Sequence, residues 1–222
     1  MARKYFITST GTGIGKTYVT TSLIHQAKAL GLSVAATKPV ISGFDKREIA
    51  GSDTGAILAA LGEPATPENL EKTSPWRFAA PLAPNMAARA EGRSLNCEAL
   101  FAQGREFLRR DADLLLIEGV GGVMVPLDDK NTVLDWIAAV GAPALLVVGD
   151  YLGTISHTLT ALEVLRMRGV EVAAVVVNQR EASTPFSGAP IEIAGRLAPL
   201  PVLRLPHAAR GESLAILARD HR

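Results

Sequence analysis

The sequence predicts an α/β fold: a doubly wound, mostly parallel sheet flanked by helices. Three observations predict it. Short apolar runs recur with almost no polar interruption, as strands covered on both faces require. Longer stretches with helical spacing alternate with those runs. Gly-rich and charged segments fall directly after the runs, at the carboxyl ends of strands, where such sheets bind ligands.

The first strand is Lys4 to Thr8. Thr17 to Leu30 reads as a helix with Val19, Leu23, Ala27 and Leu30 on one face, and Gly31 follows as a C-cap residue. Val34 to Lys38 is a second strand, closed by Pro39, and Asp53 to Leu61 is a helix. The segment from Gly62 to Pro84 is richer in proline and weaker in period, and reads as a long connection over the surface. Leu95 to Leu108 is helical, and Leu114 to Ile117 is a third strand. Ala144 to Val148 is a fourth strand; Thr154 to Arg168 is a helix with Ile155, Leu159, Leu162 and Leu165 at helical spacing. Val172 to Val177 and Pro201 to Leu205 complete the set. No internal repeat interrupts it, and 222 residues fit one domain over 1–222 better than two small ones.

Composition narrows the function. Hydrophobic residues make up 48% and charged residues 20%, which excludes a disordered or fibrous chain. With 23 Lys plus Arg against 22 Asp plus Glu, no general charge draws the protein to nucleic acid or an anionic membrane, and neither is expected as a partner. The apolar stretch after Arg3 and Lys4 is too short for a signal peptide and runs into a Gly-rich turn. No apolar run approaches the roughly 20 residues of a membrane helix, so a cytoplasmic protein is expected. The single cysteine, Cys97, makes no internal disulfide and reads as a small apolar filler. The four histidines, His157 and His207 among them, show no metal-binding spacing.

The sharpest feature is Ser9-Thr10-Gly11-Thr12-Gly13-Ile14-Gly15-Lys16-Thr17, which follows a strand and opens a helix. That is the context of a phosphate-binding P-loop. Glycines let backbone N–H groups turn toward a phosphate, and the helix N-terminus adds free donors and positive potential. Lys16 reaches β- and γ-phosphates and the Thr17 hydroxyl ligates Mg²⁺ in such loops. Thr10 stands where the strict pattern has its first glycine; the terminal Gly-Lys-Thr after a strand is what makes the signal specific.

Companion residues lie at other strand ends. Glu118 follows the apolar run Leu114 to Ile117, as a second magnesium-side carboxylate would, and Gly119, Gly121 and Gly122 leave the backbone open to a ligand. Lys38 ends the second strand, where it could stabilise a transferring phosphoryl group; taken alone, it reads as a solvated surface lysine. Asp53, after Ser52, is a metal ligand or a partner of its helix dipole. Asn178 ends the fifth strand and could bond a base edge or serve only in a turn.

Together these residues resemble the dethiobiotin synthetase family across nearly the whole chain. Thr10 to Thr17 looks like that family's form of the P-loop, including its non-glycine first position. Lys38-Pro39-Val40-Ile41-Ser42-Gly43 looks like its K-P-V-x-[ST]-G segment, and Ser52-Asp53 matches its [SN]-D pair. Glu118-Gly119-Val120-Gly121-Gly122 is similar to its E-G-A-G-G, and Leu152-Gly153-Thr154-Ile155-Ser156-His157 to its L-G-x-[IL]-[NS]-H loop.

The resemblance implies a P-loop NTPase-like fold, ATP as co-substrate, Mg²⁺ as cofactor, and a homodimer with active sites near the subunit interface. The implied reaction joins 7,8-diaminopelargonic acid and carbon dioxide at the expense of ATP, giving dethiobiotin, ADP and phosphate through a carbamate and its phosphorylated form. By the same resemblance Lys16 and Lys38 are catalytic, and Thr17, Asp53 and Glu118 hold the metal. Gly13, Ile14, Gly15, Tyr18, Gly119, Val120 and Gly121 belong to the nucleotide side. Asn178, Gln179, Leu205, Pro206 and His207 lie around the base. Thr12, Lys38 and Ser42 contact the diamine, and Gly153, Thr154, Ile155 and Ser156 form a helix N-terminus for the substrate carboxylate, that of the partner subunit.

The sequence departs from the family where Gly11 and Gly13 replace common acidic residues, where Gln179 replaces a common Asp, and where Asn85 replaces a common His. Two other readings are open to a P-loop of this type. One is a regulatory or partitioning ATPase, which usually carries a second lysine early in the loop, where Gly11 and Gly13 stand. The other is a nucleotide-binding module that turns over no diamine.

Overall fold

The structure, a computed structural model, describes residues 2–179, 188–197, 199–207 and 212–218. The chain runs β1 (Arg3–Ser9), α1 (Lys16–Ala29), β2 (Val34–Thr37), β3 (Val40–Ser42), α2 (Asp53–Leu61), α3 (Pro67–Thr73), β4 (Trp76–Phe78) and α4 (Pro84–Ala90). It continues through α5 (Cys97–Phe107), β5 (Leu114–Glu118), α6 (Val133–Val140), β6 (Ala144–Gly149) and α7 (Thr154–Met167). β7 (Val172–Asn178), α8 (Ala189–Leu197), β8 (Val202–Leu205) and α9 (Ala215–Ala218) follow.

Six strands form one sheet in the order β2-β5-β1-β6-β7-β8, and every pairing is parallel. The doubly wound fold expected from the sequence is therefore observed. The chain leaves β1 with β5 on one side and β6 on the other, so the strand order switches direction around β1. A crevice opens at such a switch, beyond the carboxyl ends of the strands. β5 is buried at all five positions because it lies between β1 and β2 with helices above and below.

Successive side chains of each strand feed opposite layers. Phe6, Leu115, Ile117, Leu146, Val175 and Val177 pack on one face with residues of α4 to α8. Ile7, Leu114, Leu116, Leu145 and Val147 pack on the other with residues of α1, α2 and α9. Phe6 meets Trp136 of α6 edge-on, ring centroids 4.8 Å apart, a favoured aromatic geometry. Cys97 belongs to the first layer, and burial with the nearby Asp128 pushes its thiol up to about 12, as suits an inert filler.

Three local expectations are revised. Residues 62–84 are more than a surface connection: they contain α3, α4's first residue and β4, which pairs parallel with β3 in a separate two-stranded sheet. Thr66 caps α3 by accepting from Asn69 N, and Pro67 stands at the helix start, where its missing N–H costs nothing. A seven-residue helix and a three-residue strand are too short to print a period. Leu30 is not on the buried face of α1; it lies beyond the helix end and is 37% exposed. α6 is a further helix, with a capping box between Thr132 and Asp135.

Candidate active site

The loop from Thr10 to Gly15 leaves β1 and delivers the chain into α1. Two of its glycines have left-handed backbone: Gly13 at φ 72° and Gly15 at φ 104°. A side chain on Gly15 would in addition place its Cβ 2.1 Å from Asn178 Nδ2. Gly15 is the N-cap of α1 and offers no side-chain cap, so N–H groups of the first turn remain available to an anion. Asn178, at the end of β7, donates from Nδ2 to the Ile14 carbonyl at 2.9 Å and braces the loop. Gly122 lies beside the start of the loop: a Cβ there would stand 3.2 Å from Gly11 Cα.

Lys16 is 7% exposed. Its ammonium donates to Ser9 Oγ at 3.1 Å and to the Gly121 carbonyl at 2.8 Å. Burial pushes its pKa down to about 8, and the charge of Lys38 pushes the same way, against the pull of Glu118 and Asp53. Both of these partners are neutral oxygens, so an incoming polyphosphate would relieve a cost this lysine already carries.

Lys38 is buried too, but differently. Its Nζ lies 2.6 Å from Glu118 Oε1 and 2.7 Å from Asp53 Oδ2. Burial would lower its pKa; the two carboxylates outweigh burial and raise it. Asp53 shows the converse: burial would raise its pKa, and the charge and hydrogen bond of Lys38, with a bond from Thr17, lower it. The solvated lysine that the isolated position suggested is a buried cation here.

Glu118 is fully buried. Oε1 accepts from Thr17 Oγ1 at 2.7 Å as well as from Lys38, and Oε2 accepts from Thr20 Oγ1 at 2.6 Å. Two carboxylates thus converge on one cation, the Lys38 ammonium, and the Thr17 hydroxyl bonds to both of them. These are hard oxygen donors, few in number; Thr17 and Asp53 line an open cavity and Glu118 lies buried behind them. They fit Mg²⁺, which is held by one or two carboxylates and completed by phosphates and waters. They do not fit a zinc cage, and among the described residues no group of three or more His, Cys, Asp or Glu side chains converges.

Ten of the expected site residues line one cavity of about 240 Å³: Thr12, Gly13, Gly15, Lys16, Thr17, Lys38, Ser42, Asp53, Val120 and Gly121, with Ile41. Tyr18 follows on the first turn of α1 and is 39% exposed. The base-side residues cluster one step away, at the ends of β7 and β8. Asn178 stands opposite Leu205, Gln179 N donates to the Leu205 carbonyl at 2.9 Å, and Arg204 Nε donates to Gln179 Oε1 at 2.8 Å. Pro206 and His207 continue from Leu205 at the exposed end of β8.

Gly153, Thr154, Ile155 and Ser156 are not brought to that cavity. They begin α7 and line a separate hollow with Tyr151 and Glu192. Gly153 caps the helix at φ 94° without a side-chain bond. A third hollow of about 490 Å³, walled by Val123, Met124, Val125, Pro126 and Val164, adjoins the phosphate loop at Ser9 to Thr12. The bond of Ser9 to Lys16, and Thr20 altogether, are additions from the structure. The signal for Thr20 was available: it follows Thr17 by one helical turn, so both hydroxyls share the face turned to β5.

A family model described as an AAA domain matches residues 3–207. The chain is 51% identical over 177 residues to the ATP-dependent dethiobiotin synthetase BioD of Phenylobacterium zucineum (strain HLK1), covering 79% of this chain and 76% of that one. It is 52% identical over 178 residues to the protein of the same name from Caulobacter vibrioides (strain NA1000 / CB15N), with 80% of each chain covered. Among solved structures, the cell division ATPase MinD of Pyrococcus furiosus superposes with a TM-score of 0.61, over 98% of this chain and 97% of that one, at 19% identity. That likeness is one of fold alone.

Proposed function

The chain belongs to the dethiobiotin synthetase family, and on that footing we propose that it is an ATP-dependent dethiobiotin synthetase. An amine of 7,8-diaminopelargonic acid adds to carbon dioxide and loses a proton, giving a carbamate. The carbamate oxygen takes the γ-phosphoryl group of ATP and releases ADP. The second amine attacks the resulting carbonyl, expels phosphate and closes the cyclic urea. The observation that carries this reading is the pair of buried ammonium groups, Lys16 and Lys38, on one cavity with Thr17 and Asp53, with the buried Glu118 bonded behind them to Thr17 and Lys38.

The reaction must bring two anions together, a triphosphate and a carbamate. Lys16 meets the phosphates from the helix N-terminus, together with the backbone of Gly13 to Tyr18. Lys38 stabilises the carbamate and its phosphorylated form. Thr17, Asp53 and Glu118 would hold Mg²⁺, which would offset negative charge on the phosphates when bound. Gly119, Val120 and Gly121 let the ligand lie against the backbone. Thr12 and Ser42 contact the diamine. Asn178, whose amide nitrogen is engaged by Ile14, keeps its oxygen for the base, with Gln179, Leu205, Pro206 and His207 around it. No protein nucleophile is required, since the substrate amines attack.

The same reading gives a cytoplasmic homodimer in which Gly153 to Ser156 receive the substrate carboxylate of the partner's site. Their seat outside the 240 Å³ cavity of their own chain supports this. So does the apolar hollow beside the phosphate loop, where Met124 is 54% exposed. Among the described residues no helix is long and apolar enough to cross a membrane. The test is one assay: purified protein with diaminopelargonate, bicarbonate, Mg²⁺ and ATP, followed by product mass and ADP release. Dethiobiotin and ADP are expected in equal amounts. ATP hydrolysis indifferent to the diamine would overturn the assignment in favour of a regulatory ATPase.

A further inference from the structure

The chain from α3 into β4 passes directly behind Lys38. Thr37 Oγ1 and Lys38 N both donate to the Thr73 carbonyl, at 2.9 and 3.1 Å. Ser74 Oγ donates to the Lys38 carbonyl at 2.6 Å, and Trp76 N donates to the Pro39 carbonyl at 3.0 Å. Ser74 Oγ also lies 2.7 Å from Thr54 Oγ1. A carbonyl only accepts, so the single proton of Ser74 goes to Lys38 and Thr54 donates to Ser74. Thr54 and Ser74 are both fully buried, where an unpaired hydroxyl is costly.

This chain of bonds has a meaningful pair of ends. Thr54 is the neighbour of Asp53, and Lys38 is the partner of Asp53 in the ion pair. The ion pair and the hydroxyl chain therefore close a ring around the entry to α2. The Asp53 side chain is 46% exposed, so water screens its end of the pair with the buried Lys38 ammonium. The buried hydroxyls supply a second, solvent-free tie between the two residues.

We propose that Ser74 and Thr54 are positioning residues for Lys38 and Asp53. They touch no substrate. They fix the separation of the Lys38 main chain from the start of α2, and so the place where the ammonium and the carboxylate meet the reacting phosphate. The proposal rests on the reaction assigned above.

Ser74→Ala and Thr54→Val remove the hydroxyls at near-constant volume, and Thr54→Ser keeps one. Three quantities are read well below the melting temperature: diamine-dependent turnover, ADP affinity by calorimetry with Mg²⁺, and the same affinity without it. Ser74→Ala and Thr54→Val should each lower kcat about tenfold. Each should shrink the gain in ADP affinity that Mg²⁺ brings, leaving metal-free affinity at the wild-type value. The double variant should be no worse than either single one, and Thr54→Ser should behave as wild type. Variants that melt earlier yet keep both kcat and the Mg²⁺ gain would overturn the proposal. If wild-type protein makes no dethiobiotin, the reaction reading falls, and the Mg²⁺ gain still decides the positioning claim either way.

Discussion

Residues 9–17 carry Lys16 and residues 66–78 back Lys38, and the two regions are built by different means. The first region is a loop whose shape comes from its own backbone: Gly13 and Gly15 at positive φ, then the uncapped start of α1. The second is a short helix and a short strand with little structure of their own length to lean on. It reaches the site through bonds to distant chain, from Thr37, Lys38, Ser74 and Trp76. Lys16, carried by the first region, donates to the neutral oxygens of Ser9 and Gly121; Lys38, backed by the second, meets two carboxylates. One region presents an ammonium to a ligand. The other holds an ammonium in a protein ion cluster until a ligand competes for it.

Replacing the lysines should expose that contrast most visibly. Lys16→Ala and Lys38→Ala should each cost about 10²–10³ in kcat, the usual loss on removing a group that stabilises transition-state charge. Stability should separate the two. Lys38→Ala strands Glu118, fully buried, without its cation, and the loss should be about 3 kcal/mol. Lys16→Ala removes an ammonium that burial already disfavours and should leave the melting temperature equal or higher. Paired melting curves and turnover measurements check both halves. Equal destabilisation by the two variants would show that the contrast between them is wrong.

A smaller effect is expected at Gly15. Its φ of 104° is a backbone that costs an ordinary residue about 1–2 kcal/mol. An alanine there would also displace the Asn178 amide from Ile14. Gly15→Ala should therefore weaken nucleotide binding and stability together. Asn178→Ala in the same background should restore part of the stability by vacating the space, though not the brace. Calorimetric nucleotide affinity and melting temperature are the measurements. Unchanged nucleotide affinity in Gly15→Ala would mean that the loop shape does not depend on this backbone.

The contrast between the regions also explains what could be read in advance. The sheet was legible because its strands are continuous apolar runs, and the phosphate loop because its residues are contiguous. The burial of Glu118 was not legible, since it depends on β5 inserting between β1 and β2. Neither was the burial of Lys38, which depends on residues 73–76 lying behind it. Thr20, Thr54 and Ser74 carry no motif; their importance arises from pairings 20 to 98 residues apart in sequence. The seat of Gly153 to Ser156 away from the phosphate cavity is equally a matter of packing, since α7 starts at a different strand end.

The smallest effect tests how independent the second region is. Thr66 caps α3 through Asn69 N at 3.2 Å, on an exposed surface. Losing such a cap typically costs about 1 kcal/mol. If the 66–78 region acts on the site only through the bonds of Thr73, Ser74 and Trp76, Thr66→Ala should lower stability by about that amount and leave kcat and nucleotide affinity at wild-type values. Those bonds lie at the far end of α3 from the cap, and tight packing of Leu70 against Ile41, Phe44 and Leu58 holds the helix between them. A fall in kcat comparable with that of Ser74→Ala would mean that α3 transmits its own fraying to Lys38, and the region would have to be treated as one lever and not as an anchored end.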